Sequence, residues 1–246
     1  MNIMDVMSNE DIPVPEEGRD QLDQLFDWQG DLERKYIEIE SANGLRWDSS
    51  HPLDLREDAA QMQFQDFSFR TIAELMEMTE CLKNRPHKST QMPTDKDHFY
   101  EEFSDSFHFL LGTCWVIGME ADDLYDQICG DWSQGNRLSS LVAAAAGVEK
   151  ADIKELPQRR WVLEYPVDLD HPKGQLQIKD LTFDIIRSIM LTNDDLDMLV
   201  SPEANLAQAV RQFLGLGWAL GMSADDIYKV YWAKMQVNRF RQETNY

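Results

Sequence analysis

The sequence predicts an all-α fold, and three of its features lead to that class. Leu, Met, Ala, Gln, Asp and Glu dominate the 246 residues, whereas runs of β-branched residues are scarce, which favours helices over strands. The 12 glycines and 9 prolines are few enough to leave long uninterrupted segments. Within those segments apolar residues recur at helical spacing. The 43% of hydrophobic residues can fill a sizeable core.

Glycines, prolines and apolar periodicity divide the chain into predicted helices. A polar N-terminal segment precedes the first of them. In the first part of the chain they cover about residues 20–40, 59–84, 95–118 and 122–130, with a short helix around 143–146. The stretch 157–177 contains three prolines and is predicted to be a long crossover loop, with residues 161–165 able to form a short strand. Helices are expected to resume at about residue 180 and to continue to the C-terminus.

An internal repeat links the two ends of the chain. Residues 109–125 resemble residues 213–228, and both segments contain Gly-Met-x-Ala-Asp-Asp-[Leu/Ile]-Tyr. In each copy the glycine is placed to end one helix, and the acidic pair is placed to open the next. The repeat predicts one domain over residues 1–246, a helical bundle built from two fused, diverged halves at about 20–138 and 180–246. A crossover region at 139–179 would join them.

Charge and cysteine content narrow the classes of function. The net charge of −22 disfavours nucleic acid as a partner, and a phosphate-bearing substrate would need metal ions and local basic residues. Cys81, Cys114 and Cys129 are isolated from one another, which suits a reducing compartment. The start of the chain has no secretory signal pattern, and no apolar stretch is long enough to span a membrane. We therefore expect a cytoplasmic protein, in the host cytoplasm if the gene is viral, with no membrane partner.

Two pairs of acids on the second and third predicted helices form a candidate metal site. Glu74 and Glu77 are three residues apart, as are Glu102 and Asp105, so each pair lies on one helix face. Four carboxylates that converge from two apolar helices repel one another unless cations lie between them, and Mg²⁺ prefers carboxylate oxygen. The alternative is that these acids form solvated helix faces paired with Lys or Arg. Spacing alone leaves both interpretations open.

The order E-x-x-E followed by E-x-x-D resembles that of the all-α NTP pyrophosphatases, which include MazG-like proteins and the dimeric dUTPases. Three further segments resemble the dUTPase branch and the related phage dCTPase/dUTPases, namely residues 25–32, 101–109 and 234–246. The last matches K-x-x-x-N-x-x-R-Q-x-x-G-Y, except that Asn245 stands in place of the glycine. The likeness is weakest across 139–180.

The resemblance implies a role for each matching residue. Glu74, Glu77, Glu102 and Asp105 would hold Mg²⁺, and one of the glutamates would take a proton from the attacking water. The expected substrate-binding residues are Gln29 and Asn238 for the base, Lys234, Arg241 and Tyr246 for the phosphates, and His108, Trp28 and Lys83 for further contacts. A core position is the alternative for Trp28, and the family segment around Lys83 is poorly matched here.

The resemblance therefore implies a homodimeric, Mg²⁺-dependent dNTP diphosphatase that hydrolyses dUTP, and dCTP as an additional substrate, to the monophosphate and pyrophosphate. In the register of the repeat, Glu102 and Asp105 fall opposite Asn205 and Gln208, which predicts one metal site per chain.

An amide such as Gln29 can flip to suit uracil or cytosine, so the identity of the base is left open. The alternatives are a modified pyrimidine nucleotide, a MazG-like housekeeping activity, or a non-catalytic helical interaction module.

Overall fold

The computed structural model describes residues 13–44, 51–83, 93–130, 136–147, 166–194 and 202–244. Across these ranges the chain forms helices and no strands, which confirms the predicted all-α class. The helices are α1 (Gln21–Ala42), α2 (Asp58–Glu80), α3 (Lys96–Val116), α4 (Ala121–Cys129), α5 (Arg137–Ala146), α6 (Pro172–Asp194), α7 (Pro202–Ala219) and α8 (Ala224–Thr244). None of the described helices is both long and apolar enough to cross a membrane.

Helix α1 is fixed at its start by a capping box and an ion-pair cluster. The Asp20 side chain accepts a hydrogen bond from the Asp23 amide at 3.0 Å, and the Asp23 side chain accepts one from the Asp20 amide at 3.2 Å. Arg137, at the start of α5, binds both acids, with 2.7 Å between its Nε and Asp20 Oδ2. These contacts fix the rotation of α1, which decides which of its polar residues face inward.

Two helical hairpins form the centre of the bundle. Helix α2 packs along α3, α6 packs along α7, and α2 also contacts α6. Where the hairpins meet, the rings of Phe107 and Phe213 stack with their centroids 5.0 Å apart. Helices α1 and α8 pack against each other and against α3. The polar residues of α1, α2, α3 and α8 are thereby brought to one place.

Matching backbone contacts occur at positions that the repeat relates. The Leu53 amide donates to the Val116 carbonyl at 2.8 Å, and the Val167 amide donates to the Ala219 carbonyl at the same distance. Each bond ties the segment before a long helix to the end of the following hairpin helix. This correspondence supports the proposal that the chain consists of two related halves.

The crossover region is shorter than the sequence predicted. Helix α6 begins at Pro172, so residues 172–177 are helical and the expected restart at about residue 180 was wrong. Proline fits the first turn of a helix because the amide hydrogen it lacks would have no partner there. Gly174 allows the turn to pack closely, since a Cβ at this position would lie 2.0 Å from the Asp168 carbonyl oxygen. The strand expected at 161–165 lies outside the described residues.

Candidate active site

A cavity of about 180 Å³ lies where α1, α2, α3 and α8 meet. Its wall contains half of the site residues that the sequence singled out. The lining residues are Gln29, Leu32, Glu33, Tyr36, Glu74, Asp105, His108, Phe109, Asn238 and Arg241. Acids from α2 and α3 lie on the same wall as amides and an arginine from α1 and α8.

A larger cavity of about 320 Å³ lies elsewhere, beside Arg34, His51 and Trp115. It contains none of the predicted site residues, and its arginines are accompanied by Asp23, Asp27 and other acids. The cavity on α1, α2, α3 and α8 is the candidate active site because it brings acids, amides and a guanidinium together in a place that the sequence motifs also indicate.

Glu74, Glu102 and Asp105 form an acidic triad in which one ligand atom of each lies within 4.8 Å of the others. Glu74 comes from α2, and the other two come from successive turns of α3. Carboxylate oxygens at this separation suit a divalent cation with oxygen ligands, which keeps part of its shell for water and phosphate. The donor set of the triad therefore fits Mg²⁺.

The pKa values of two triad acids also favour a bound cation. Burial, a hydrogen bond to Glu102 and the charges of the neighbouring acids raise the pKa of Glu74 to about 8. Burial raises the pKa of Asp105 to about 6, although Lys234 opposes the shift. Without a bound cation Glu74 therefore retains its proton at neutral pH, and a divalent ion would replace it.

Glu77, the fourth predicted ligand, is exposed and lies outside the triad. Its charge is one of those that raise the pKa of Glu74. Its side chain is thus close enough to act on the site electrostatically, and its role as a ligand stays a prediction.

Lys234 reaches the acidic end of the cavity from α8. Its Nζ lies 2.8 Å from Asp105 Oδ2 and 3.0 Å from Glu101 Oε1, and its side chain is only 5% exposed. Asn238 and Arg241 lie one and two turns further along α8 and line the cavity. Gln242 ties this end of α8 to α1 by donating to the Leu32 carbonyl at 3.1 Å. Tyr246 lies outside the described residues.

Gln29 is buried on the α1 side of the cavity, with polar groups at both ends of its amide. The Tyr231 hydroxyl donates to Gln29 Oε1, and His108 Nδ1 lies 3.1 Å from the same atom. Gln29 Nε2 donates to Glu33 Oε1 at 2.5 Å. The amide is held by its neighbours, so the free flip that the sequence suggested would require a rearrangement of the other three side chains.

His108 is a neutral ring at physiological pH. Burial lowers its pKa to about 3. The imidazole stacks on the Tyr231 ring at 3.8 Å between centroids, and Nε2 lies 3.1 Å from the Tyr231 carbonyl oxygen. His108 therefore offers hydrogen bonds rather than a positive charge to the cavity.

Two predicted substrate-binding residues lie outside the cavity lining. Trp28 stacks on Tyr228 with 5.3 Å between ring centroids, which corresponds to the alternative of a packing role. Lys83 follows α2, and its Nζ binds Asp95 Oδ2 at 3.0 Å. Neither position supports contact with a ligand in this cavity.

Several residues of the site were missed at the sequence level. Glu33 and Tyr231 bind Gln29, and Tyr36 lines the same cavity. Glu101 shares Lys234, and His98 lies 2.5 Å from Glu102. Helical spacing gives a signal for Glu33, which follows Gln29 by one turn and so lies on the same face. Its burial depends on a neighbouring helix, which no local pattern of α1 reveals.

Comparison with known proteins gives a family assignment. A family model described as dUTPase matches residues 21–246, which include all eight of the described helices and every residue of the cavity. No curated protein and no solved structure matches the chain significantly. The match, the all-helical fold and the acidic cavity agree, and the chain belongs to the all-α dUTPase family of nucleoside triphosphate diphosphatases.

Proposed function

We propose that this enzyme hydrolyses dUTP to dUMP and pyrophosphate with Mg²⁺ as its metal ion, and that dCTP is a second substrate. One observation carries the proposal: a single cavity combines Glu74 and Asp105 with Gln29, Asn238 and Arg241. Carboxylates for a divalent ion, amides for a base edge and a guanidinium for phosphate are the groups that this reaction needs.

Glu74, Glu102 and Asp105 would hold Mg²⁺, with Glu77 close enough to complete the acidic end. When bound, the ion would neutralise phosphate charge and lower the pKa of a water molecule. One of the glutamates takes the proton that the attacking water loses. The family generally uses a divalent metal, which supports this assignment.

Lys234 and Arg241 are proposed to bind the triphosphate. Both reach the site from α8, and Lys234 is already paired with Asp105 at the acidic end. A cation held by the triad would compensate these acids, which would leave the Lys234 ammonium group free to bind phosphate oxygens. Arg241 suits a bidentate contact because its guanidinium presents paired donors in one plane.

Gln29 and Asn238 are proposed to bind the pyrimidine edge, with neutral His108 beside Gln29. Uracil and cytosine differ in the donors and acceptors at N3 and at position 4. A pyrimidine dNTP with a substituent at position 5 presents the same edge, so a modified nucleotide remains the closest alternative substrate.

We also propose that the enzyme is a homodimer that pairs through two apolar stripes. Exposed apolar side chains recur every seven residues on α2 and on α6, which places each set on one helix face. The stripes consist of Met62, Phe69 and Met76 on α2 and of Leu176, Phe183 and Met190 on α6. Because α2 and α6 contact each other, a second copy would offer a matching pair of stripes in an isologous interface.

A cytoplasmic setting fits the three thiols, since Cys81, Cys114 and Cys129 form no disulfide with one another. The proposed reaction is tested by measuring pyrophosphate release from dUTP, dCTP, dTTP and 5-substituted pyrimidine dNTPs with Mg²⁺. We expect release from dUTP, and from dCTP at a lower kcat/KM. The absence of pyrophosphate from every nucleotide would contradict the proposal.

A further inference from the structure

Glu33 is a buried acid on the cavity wall that the reaction described above does not use. It lies on α1, one turn beyond Gln29, and is only 3% exposed. Helix α3 passes so close that a Cβ on Gly112 would lie 2.3 Å from Glu33 Oε1. The carboxyl group is therefore enclosed by helix backbone on one side and borders the cavity on the other.

Among the described residues, no cation forms an ion pair with Glu33. The nearest acting charge is that of Arg70 on α2, which already binds Glu40 at 2.9 Å and Asp66 at 2.7 Å. The titratable groups facing Glu33 or sharing its cavity are Arg70 and Glu74 on α2, Asp105 and His108 on α3, Tyr231 and Arg241 on α8, and Tyr36 and Glu40 on α1 itself. An ionised Glu33 would be a buried charge without a counter-ion.

The hydrogen bonds around Gln29 indicate where the protons lie. The Tyr231 carbonyl can only accept, so His108 Nε2, 3.1 Å away, must carry the ring hydrogen. A neutral imidazole then has a lone pair on Nδ1, which needs a donor. The amide of Gln29 is the group that faces Nδ1, at 3.1 Å. That need is met when the NH₂ end of the amide points to His108.

This orientation exchanges the oxygen and nitrogen of the Gln29 amide relative to the hydrogen bonds described for the cavity, and it turns the amide oxygen toward Glu33. Two oxygen atoms can approach closely only when one of them carries a hydrogen, so Glu33 must then be the donor. The contact between the amide of Gln29 and Glu33 Oε1 measures 2.5 Å. That length is usual for O–H···O and short for N–H···O. The Tyr231 hydroxyl, which contacts the same end of the amide, accepts its second hydrogen, so the amide, the imidazole and the Glu33 carboxyl group each have a partner.

We propose that Glu33 is a specificity-determining residue that keeps its proton at neutral pH and thereby fixes which atoms of Gln29 and His108 face the base. Burial acts in the same direction, because it raises the pKa of Glu33 to about 8. When Glu33 ionises, the Gln29 amide turns its NH₂ group to the carboxylate and is no longer a donor to His108 Nδ1, while His108 Nε2–H stays on the Tyr231 carbonyl. The donor–acceptor pattern of the cavity wall then reverses, and the base that it complements changes with it.

The inference about Glu33 rests on the proposed function in one respect, namely that the ligand is a pyrimidine nucleotide. A direct test therefore needs no turnover. In ¹⁵N-labelled protein, long-range ¹H–¹⁵N NMR distinguishes the two tautomers of His108. We expect the Nε2–H form throughout, with a hydrogen-bonded Nδ1 at about pH 6.5 and a downfield shift of the Nδ1 signal, as it loses its donor, when Glu33 ionises at about pH 8. A ring in the Nδ1–H form or a charged ring at about pH 6.5 would overturn the proposal whether or not the protein hydrolyses nucleotides.

The kinetic test compares Glu33→Gln with Glu33→Leu. Glutamine supplies a donor and an acceptor as the protonated acid does, so Glu33→Gln should keep kcat/KM for dUTP within about threefold of wild type at about pH 6.5. At about pH 9 it should exceed the wild type by about tenfold, because the wild-type acid has then ionised. Glu33→Leu should raise KM by about tenfold at both pH values.

Glu38→Gln is the matched control, since Glu38 is an exposed acid on the same helix that pairs with Lys35. It should follow the wild-type profile throughout. Circular dichroism of each variant checks that the fold is retained. Identical pH profiles for the wild type and a folded Glu33→Gln variant would contradict the proposal, and so would full activity in a folded Glu33→Leu variant.

Discussion

The ammonium group of Lys234 lies 2.8 Å from a carboxylate oxygen of Asp105, where α8 meets the acidic end of the cavity. The same group binds Glu101 at 3.0 Å, so one buried cation serves two acids of α3. Asp105 and Arg241 are among the groups expected to meet the phosphates and their metal ion. The helix that carries the proposed phosphate-binding residues is therefore joined by an ion pair to the helix that carries two triad acids.

Replacement of Lys234 by methionine should weaken nucleotide binding while keeping the buried aliphatic stem. A charged hydrogen bond contributes about 1.5–3 kcal/mol, so we expect KM for dUTP to rise by about tenfold or more. The variant should also lose stability, and lose more at higher pH, because Asp105 ionises without its partner. Lys229→Met removes another lysine from α8 as a control. Steady-state kinetics with an unchanged KM in Lys234→Met would contradict the phosphate-binding role.

Glu74→Gln should change how stability depends on pH. The folded pKa of Glu74 is about 8 against 4.5 for the free group, so the folded state holds a proton that the unfolded state releases. Its contribution to stability is complete below about pH 4.5 and is lost as the pH rises to about 8. In EDTA, the wild-type Tm should therefore fall relative to that of Glu74→Gln over this range, by a few degrees because the group is half-exposed.

Added Mg²⁺ should reverse that trend in the wild type and have little effect on Glu74→Gln, since the ion replaces the protons of the intact triad. Differential scanning fluorimetry across pH, with and without Mg²⁺, measures both effects. Parallel Tm profiles for the two proteins would mean that Glu74 is not part of a repelling cluster.

Gly112→Ala should damage the base end of the cavity. The new Cβ would lie 2.3 Å from Glu33 Oε1 and 3.0 Å from Gln29 Nε2, so both side chains must move. We expect a loss of about 1–3 kcal/mol in the free energy of unfolding, together with a higher KM. Gly217→Ala is the control, because its Cβ would meet the flexible end of Ile227 at 3.0 Å, away from the cavity. An unchanged KM in Gly112→Ala would show that Gln29 and Glu33 can shift without any effect on nucleotide binding.

Phe69→Asp and Phe183→Asp should each dissociate the dimer, because a charge in the centre of an apolar stripe cannot be buried without a partner. Phe240→Asp makes the same change at a residue that is also exposed, 64% against 70% for Phe69, but lies on α8 outside both stripes. Sedimentation velocity should show monomers for the first two variants and dimers for the third. Dimers in all three variants would exclude the α2–α6 face as the interface.

The fold class and the triad were predictable because both depend on local spacing. Apolar periodicity and turn residues marked the helices of the first half, and carboxylates three residues apart marked Glu74, Glu102 and Asp105. The start of α6 was missed because Pro172 was taken as a breaker, whereas proline is tolerated in the first turn of a helix.

The surroundings of Gln29 could not be predicted in the same way. Glu33 is one of several acids on α1, and its burial is set by Gly112 of α3 and by the rotation of α1. Trp28, the neighbour of Gln29 in sequence, points instead to Tyr228. Such facts depend on how helices far apart in sequence pack together.

Pyrophosphate release from dUTP by the wild type and by Asp105→Asn, assayed side by side with Mg²⁺, tests most directly whether the acidic triad is the reaction centre. Asn keeps the shape of the side chain and removes the charge that a metal ion needs. We predict that the wild type releases pyrophosphate, and that Asp105→Asn, with an unchanged helical circular dichroism signal, loses turnover by about a hundredfold or more. Wild-type rates in the folded Asp105→Asn variant would contradict the placement of the site.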